Sequence, residues 1–322
     1  TQSSVLSPFL SPMTTVLLVN PAAGHGLAAG LATKVLQSAE HHWRDVTMLT
    51  TSAPGEGVEL VRRAVEQGAA RVLVLGGDGT AHEAANGILT ATVDQSPVLG
   101  IIPVGTGNDY AKLTRTHGLP TLSVIPYLVH GQVIRHDVGK AWNEYFLNSI
   151  GIGFDAEVAR RVGGIRGVRG AAAYLAAAGL TFGGFKPFRA TVRYGELSFS
   201  DTLMLLEAAI GAVVGGGFRL TPDASPDDGL FDVCAIQRLG LFGFLTKLPL
   251  TMLGWHTRLK QVRMFRTPKL TVQGLDRPLV AQLDGEVRSG GDTVEITLEP
   301  RRLSVIVAGK RPSAQWERPL TA

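Results

Sequence analysis

The stretch that decides the fold is "VLVLGGDGTAHEAANGI", which covers residues 72–88. It starts with an apolar run typical of a buried strand and continues into residues with helical spacing. Glycines at such a junction let a phosphate approach the free N–H groups of the helix N-terminus. Asp78 puts a negative charge in this junction, so we expect a positive partner beside it.

The same alternation of strand and helix extends over the first part of the chain. Helical spacing predicts helices over residues 27–39, 57–67 and 82–89, and the predicted strands are "TVLLVN", "DVTMLT", "RVLVLGG", "VLGIIPVG" and "RHDVGKA". This alternation predicts a parallel sheet with right-handed crossovers. The loops after its strands would then gather at one edge, where such sheets bind ligands.

Beyond the last of these strands the pattern changes to alternating, turn-rich segments such as "PFRATVRYG" and "DTVEITLEPRRLSVIV". They predict an antiparallel β domain. We therefore expect an α/β nucleotide-binding domain over residues 14–138, with the tail 303–322 as a candidate addition. A β-sandwich-like substrate domain would cover residues 139–302, and the active site would lie in the cleft between the two.

Composition limits the cellular setting. The chain has 322 residues, 45% of them hydrophobic, which suffices for two globular domains. Cys234 is the only cysteine, so an internal disulfide is excluded and a reducing compartment fits. The apolar run at residues 170–185 is too short to span a bilayer, and the first dozen residues lack the pattern of a secretory signal. We expect a cytoplasmic protein, soluble or peripheral at the inner membrane face.

Three glycine-rich loops follow predicted strands: "VNPAAGHG", "GGDGT" and "PVGTGNDYAK". Each alone fits an ordinary turn, but three at one sheet edge favour a phosphate site. Asp78 and Asp109 would both face it. Two carboxylates are tolerable there if a divalent cation lies between them and the phosphates.

The sequence resembles the bacterial diacylglycerol kinase and sphingosine kinase family of lipid kinases. The resemblance rests on these loops and, in that order, on the later blocks "DVGK", "GIGFDAEVA", "PDASPDDGLFDV" and "LDGE". The resemblance extends from about residue 14 to 307. NAD kinases share "GGDGT", and phosphofructokinases share it more loosely, so the later blocks carry the specificity.

The resemblance implies ATP as phosphoryl donor and Mg²⁺ as cofactor. It implies nucleotide-binding roles for Asn20, Gly24, Thr51, Gly76, Gly77, Asp78, Gly79, Thr80, Glu83, Gly105, Thr106 and Asn108. Asp78 and Asp109 match the acidic positions around the catalytic magnesium.

The later blocks imply further roles. "SPDDGL" is similar to a structural magnesium loop that would use Asp228 and backbone oxygens near Ser225 and Leu230. "LDGE" offers the catalytic base, Asp284 or Glu286, since phosphoryl transfer to an alcohol needs a group that accepts the hydroxyl proton. Asp137 of "DVGK" matches an acidic position near the acceptor. By turn chemistry alone, both "DDGL" and "LDGE" also fit simple hairpin turns.

One position departs from the family pattern. His82 stands where we would expect asparagine. The sequence predicts that its side chain either faces solvent or caps or lines the nucleotide site.

Charge is unevenly distributed. The chain between Glu157 and Glu196 has seven basic residues and no acid: Arg160, Arg161, Arg166, Arg169, Lys186, Arg189 and Arg193. Residues 233–275 repeat this pattern around the apolar cluster Leu241, Phe242, Phe244, Leu245, Leu248, Leu250, Met252, Leu253 and Trp255. Basic and apolar surface together favour an anionic membrane, and a buried helix with a solvated basic flank is the alternative.

The sequence thus predicts an ATP-dependent lipid kinase that phosphorylates a lipid hydroxyl such as that of diacylglycerol. A kinase of a soluble substrate, like NAD kinase, is one alternative. A nucleotide- or lipid-binding protein without turnover is another. No pattern of basic residues interleaved with aromatic residues indicates nucleic-acid binding, and an oligomer is compatible with the sequence.

Overall fold

The computed structural model describes residues 14–162, 164–165 and 170–309. Its N-terminal part contains β1 (Thr14–Val19), α1 (Leu27–His42), β2 (Val46–Thr50), α2 (Glu56–Glu66), β3 (Ala69–Gly76), α3 (Asp78–Thr90), β4 (Val98–Pro103), α4 (Asp109–Leu113), a 3-10 turn (Thr121–Ser123) and α5 (Val124–Val129). The predicted helices and the first four predicted strands are confirmed, although α4 and α5 had no clear signal in the sequence. The fifth predicted strand, residues 135–141, forms, but it pairs antiparallel with two later strands and not within the parallel sheet.

The strands β1 to β4 form a parallel sheet in the order β2-β1-β3-β4. Their side chains alternate between two apolar cores, one on each face of the sheet. Because both faces are covered, the strands read as nearly continuous apolar runs. This sheet presents the loops after β1, β3 and β4 at one edge.

The C-terminal part is built mainly from strands. It contains β5 (Gln132–Ala141), β6 (Glu144–Phe146), β7 (Ser149–Gly153), α6 (Phe154–Val162), α7 (Gly170–Phe182), β8 (Phe188–Tyr194), β9 (Leu197–Ala209), β10 (Phe231–Gln237), α8 (Leu241–Leu253), a 3-10 turn (Trp255–Arg258), β11 (Val262–Thr267), β12 (Lys269–Gly274), β13 (Val280–Leu283), β14 (Glu286–Ser289) and β15 (Thr293–Val307). The pairs within this part are antiparallel, so the predicted fold class is confirmed.

The last strand joins the two parts. The first half of β15 pairs with β12, whereas Val305 near its end pairs in parallel with Leu99 of β4. β5 runs antiparallel to β15 along both halves. Residues up to 307 therefore complete the N-terminal sheet, and residues 310–322 of the predicted tail lie outside the described part.

The helices α6, α7 and α8 pack over one face of the C-terminal strands around Phe154, Met204 and Phe244. No helix among the described residues is long and apolar enough to cross a membrane. Arg166 and Arg169 of the predicted basic segment lie outside the described residues.

Candidate active site

The glycine-rich loops touch at the carboxyl edge of the N-terminal sheet. A Cβ built on Gly105 would lie 2.6 Å from the Cα of Gly77, so only glycine allows the second and third loops to approach this closely. Gly24 has a φ of 62°, and a Cβ there would lie 2.5 Å from the carbonyl oxygen of Val104. The three predicted loops are thus brought together by backbone contacts that exclude side chains.

A pocket of about 180 Å³ opens beside these loops. The N-terminal part contributes Asp78, Thr106 and Asp109, and the C-terminal part contributes Asp284 and Tyr174. The pocket therefore lies between the two parts, as predicted, and brings three of the four candidate catalytic carboxylates together.

Asp78 and Asp109 point to the same place. A Cβ on Gly107 would lie 3.0 Å from Asp78 Oδ2 and 3.8 Å from Asp109 Oδ2. Asp78 Oδ1 accepts a hydrogen bond from the backbone N–H of Tyr110 at 3.1 Å. Asp109 is held by Lys112 Nζ at 2.5 Å and by the N–H of Gly216 at 2.9 Å.

Lys112 forms an ion pair with Asp109, whereas Asp78 has no ion pair among the described residues. Burial, and then the nearby Asp109 carboxylate, raise the pKa of Asp78 to about 7. Hard carboxylate oxygens that converge in a buried site are the ligands Mg²⁺ prefers. The residues present therefore fit a magnesium ion, which Asp78 would hold with the help of Asp109.

Asp284 lies across the pocket in the turn between β13 and β14. Asp284 and Gly285 both have positive φ, 50° and 96°, which is the geometry of an Asp-Gly hairpin turn. Its Oδ1 accepts hydrogen bonds from the N–H groups of Asn148 and Ser149, and Oδ2 accepts one from Leu147. This cradle fixes the carboxylate toward the pocket.

His82 supplies a fourth contact to that carboxylate. Its side chain is only 3% exposed, with Nδ1 3.0 Å from Asp284 Oδ2 and Nε2 2.8 Å from Glu144 Oε1. Glu144 in turn forms a double hydrogen bond with Arg288. The prediction that His82 faces solvent is wrong, because its ring is buried between two carboxylates. The ring does not line the pocket beside the glycine-rich loops, and a role at the nucleotide stays a prediction.

Glu286, the other candidate base, is about half exposed. Its Oε1 would lie 3.1 Å from a Cβ on Gly79, which places it beside the N-terminus of α3. It does not line the pocket. Asp284 thus lines the pocket but already accepts several hydrogen bonds, whereas Glu286 is half exposed and forms a long ion pair with Arg288 at 3.8 Å.

The other predicted nucleotide residues surround the loops without lining the pocket. Asn20 donates a hydrogen bond to Thr80 Oγ1 at 3.2 Å, which links the first loop to the second. Thr51 is buried at the end of β2, and Asn108 donates to the carbonyl oxygen of Gly105. Glu83 accepts hydrogen bonds from the N–H groups of Gly55 and Gly57 at 2.8 Å, so its carboxylate caps α2.

Asp137 lines neither the acidic pocket nor the apolar pocket described below. Its carboxylate accepts hydrogen bonds from the N–H groups of Gly229 and Arg301, both at 2.7 Å. It therefore ties the 223–230 loop to the bend in β15. The structure does not bring it to the acceptor side of the pocket.

The predicted magnesium loop contains Ser225, Asp228 and Leu230. Asp228 forms an ion pair with Arg266, and Ser225 donates a hydrogen bond to Asp227. Arg266 already supplies positive charge at the only carboxylate expected to bind metal, so the side chains as placed do not fit a second magnesium ion. That site stays a prediction that depends on backbone oxygens.

Two further buried acids were missed. Asp155 and Glu207 both approach Gly151, so closely that a Cβ there would clash with each. Asp155 accepts hydrogen bonds from Tyr174 at 2.5 Å and from Gln282 at 2.7 Å. The oxygens of Glu207 have no hydrogen bond of good geometry among the described residues, although the Ser149 hydroxyl is near.

Burial raises the pKa of Glu207 well above the usual range, and the Asp155 carboxylate adds to this. Asp155 shows the same direction, again chiefly from burial. Burial and mutual repulsion therefore favour the protonated form of both carboxyl groups. A lone glutamate inside the apolar segment "LMLLEAAI" was the sequence signal that could have drawn attention to the pair.

An apolar pocket of about 80 Å³ adjoins the acidic one. The two share Tyr174 and Val214 in their walls. The apolar wall comes from α6, α7, α8 and the strands beneath them and includes Phe154, Val158, Ala178, Met204, Phe244 and Leu248. An acceptor with an apolar portion next to a hydroxyl would fit this combination.

Comparisons with known proteins agree on the family. Residues 14–141 match the model of the diacylglycerol kinase catalytic domain, and residues 148–307 match that of the YegS C-terminal NAD kinase beta sandwich-like domain. A probable lipid kinase YegS-like from Pseudomonas fluorescens is 31% identical over 81% of this chain and 85% of its own length. The diacylglycerol kinase of Bacillus subtilis is 27% identical over 84% and 88%.

A crystal structure of a putative diacylglycerol kinase from Bacillus anthracis has the same fold. It superimposes with a TM-score of 0.76 at 22% identity, covering 93% of this chain and 98% of that one.

Proposed function

The chain belongs to the family of diacylglycerol kinases and YegS-like lipid kinases, and from that premise we propose that it transfers the γ-phosphoryl group of ATP to a lipid hydroxyl, with diacylglycerol as the first acceptor to test. One observation carries the proposal. An acidic pocket beside glycine-rich phosphate loops shares a wall with an apolar pocket. A kinase of a soluble acceptor has no need of the second pocket.

Positioning and charge provide most of the catalysis in phosphoryl transfer. The glycine-rich loops and the N-terminus of α3 would bind the phosphates of ATP with backbone N–H groups. Asp78 and Asp109 would hold the magnesium ion, which neutralises charge on the transferring phosphate. Thr106 would contact the nucleotide from the pocket wall.

Asp284 is our choice for the base. A group that holds magnesium is not free to take a proton, so the base comes from outside the Asp78 and Asp109 pair. Asp284 lines the pocket opposite them, with its carboxylate fixed by three backbone N–H groups. Glu286 remains the rival because it is half exposed and its ion pair with Arg288 is long, at 3.8 Å.

The acceptor would reach the pocket from a membrane. Helix α8 and the turn after it expose large apolar side chains, which we call the α8 face: Leu241, Phe242, Leu245, Leu253 and Trp255. Arg258, Lys260 and Arg263 are exposed nearby. Apolar side chains rimmed by positive charge match an anionic bilayer. Phe244, in contrast, faces the apolar pocket.

The test is a lipid panel with labelled ATP and purified protein, read out as phosphorylated product. We expect product with a lipid that carries a free hydroxyl, and more of it on vesicles with anionic lipid. Product only with NAD would favour the kinase of a soluble acceptor. Nucleotide binding without any product would favour a non-catalytic protein.

Vesicle binding separates the membrane proposal from catalysis. Neutralising Arg258, Lys260 and Arg263 should weaken binding to anionic vesicles by about 1 kcal/mol per charge, and added salt should mimic this. Lys34→Gln, an exposed change on α1, is the matched control. Binding that ignores salt and anionic lipid content would contradict the membrane proposal.

A further inference from the structure

The ring of His82 lies between two groups that only accept hydrogen bonds. Nδ1 faces Asp284 and Nε2 faces Glu144, at 3.0 and 2.8 Å. An ionised carboxylate has no proton to donate, so both ring nitrogens need an N–H to form these contacts. The geometry is therefore that of an imidazolium.

The ring is also part of a longer row of charges. Asp284, His82, Glu144 and Arg288 follow one another with alternating sign, each in contact with the next. The row starts in the pocket and ends at the partly exposed Arg288. It connects α3, which follows the second phosphate loop, with the turn that carries Asp284.

We propose that His82 is a positioning residue for phosphoryl transfer, which as an imidazolium holds the carboxylate of Asp284 in place. This rests on the proposed function. A neutral ring would have a single N–H, so either Asp284 or Glu144 would face a nitrogen lone pair. In the first case Asp284 would lose the one side-chain donor that it has among the described residues.

The titration of the ring supports this role. Burial disfavours the charged form, but the hydrogen bonds that the ring donates to Asp284 and Glu144 outweigh it and raise the pKa of His82 to about 9. In the same row, burial of Glu144 is outweighed by His82 and Arg288, which lower its pKa to about 2. Asp284 and Glu144 are the charged groups that act on the ring. Arg288 reaches it through Glu144, and Glu83, the next residue on its helix, is bound to the α2 cap.

The experiment combines two readouts. Nitrogen-15 NMR of labelled histidine, assigned with His82→Asn, measures the protonation of the ring without substrate. The pH profile of turnover measures the consequence. We expect the ring to stay protonated to about pH 9 and wild-type turnover to fall above that pH. His82→Asn should lower kcat about tenfold at unchanged KM for ATP and should lack this alkaline fall.

Glu144→Gln gives a second variant in case His82→Asn folds poorly. It removes one of the two anions that favour the imidazolium, so the alkaline fall should move to lower pH. His41→Asn, an exposed histidine of α1, controls for the loss of a histidine as such.

A ring that is neutral at pH 7 would overturn the proposal. So would a folded His82→Asn variant with wild-type kcat and pH profile, or an alkaline fall that Glu144→Gln leaves in place. If the wild-type protein phosphorylates no acceptor, the proposed function fails together with the catalytic role of His82. The NMR titration then still shows whether the charged row exists, so the two failures are distinguishable.

Discussion

Two groups of carboxylates each have a member that lines the acidic pocket, and they differ in whether nearby cations balance their charge. Asp284 and Glu144 contact a histidine, an arginine and backbone N–H groups. Asp78, Asp155 and Glu207 have no ion pair within the described part of the chain, and burial raises the pKa of each.

This difference distinguishes carboxylates that stabilise the fold from carboxylates that are expected to bind a ligand or a proton. A buried charge is expensive unless a partner neutralises it. In the first group, His82 and Arg288 balance the negative charge, so no ligand is needed to neutralise it. In the second group, Asp78 lines the pocket where we propose that a metal ion binds, whereas burial favours the protonated form of Glu207. Missing compensation thus marks where a ligand or a proton is expected.

The sharpest test of this comparison is Asp78→Asn. The amide keeps an oxygen for the N–H of Tyr110 but loses the charge that would hold magnesium. We expect turnover to fall by more than about 10⁴-fold. Thermal stability should be equal or higher, because the repulsion with Asp109 is removed. A normally folded variant with near wild-type rate would refute the metal assignment.

A second test compares the rival bases. Asp284→Asn should lower single-turnover phosphorylation by about 10²- to 10⁴-fold with little change in ATP affinity. It should also destabilise the fold by roughly 1–3 kcal/mol, since an NH₂ group would face backbone N–H donors. Glu286→Gln is the matched variant and should change the rate less than about tenfold. If both retain full rate, neither carboxylate is the base.

A third test uses a core substitution that we expect to stabilise the protein, although most core substitutions destabilise. Glu207→Gln should stabilise the protein by at least about 1 kcal/mol at pH 8, because it removes an acid that is buried without compensation. The folded protein holds a proton that the unfolded chain releases above its ordinary pKa, so wild-type stability falls as pH rises. The gain should therefore be larger at pH 8 than at pH 5, measured by urea unfolding.

Glu157→Gln on the surface of α6 is the control for this third test. It should change stability by less than about 0.5 kcal/mol. A destabilised Glu207→Gln variant would mean that the carboxylate is ionised and paired. That result would contradict the claim that Glu207 is buried without a compensating partner.

The smallest effect is expected at the predicted metal loop. Asp228 and Arg266 form a partly exposed ion pair, so Asp228→Ala should lower stability by about 1 kcal/mol or less. Removing divalent cations with a chelator should change the melting temperatures of the wild-type protein and of Asp228→Ala by the same amount. A drop on chelation that disappears in Asp228→Ala would instead establish the second magnesium site.

The sequence predicted what local chemistry determines. Glycines at strand ends predicted three loops that the structure brings together, and Asp-Gly predicted the turn that carries Asp284. It missed contacts that depend on distant segments. His82 and Asp284 are 202 positions apart, and Glu144 joins them from a third segment. Glu83 was assigned to the nucleotide because nothing local shows that it caps α2.

The course of β15 has a consequence for biosynthesis. Within the described fold, β4 is flanked by β3 on one side and by the end of β15 on the other. When the ribosome has made residues 14–141, that second edge of β4 has no partner, and an unpaired edge strand invites association with other chains. The N-terminal sheet is completed only when the chain reaches Val305. A nascent chain therefore cannot finish its N-terminal part first, although that part is encoded first.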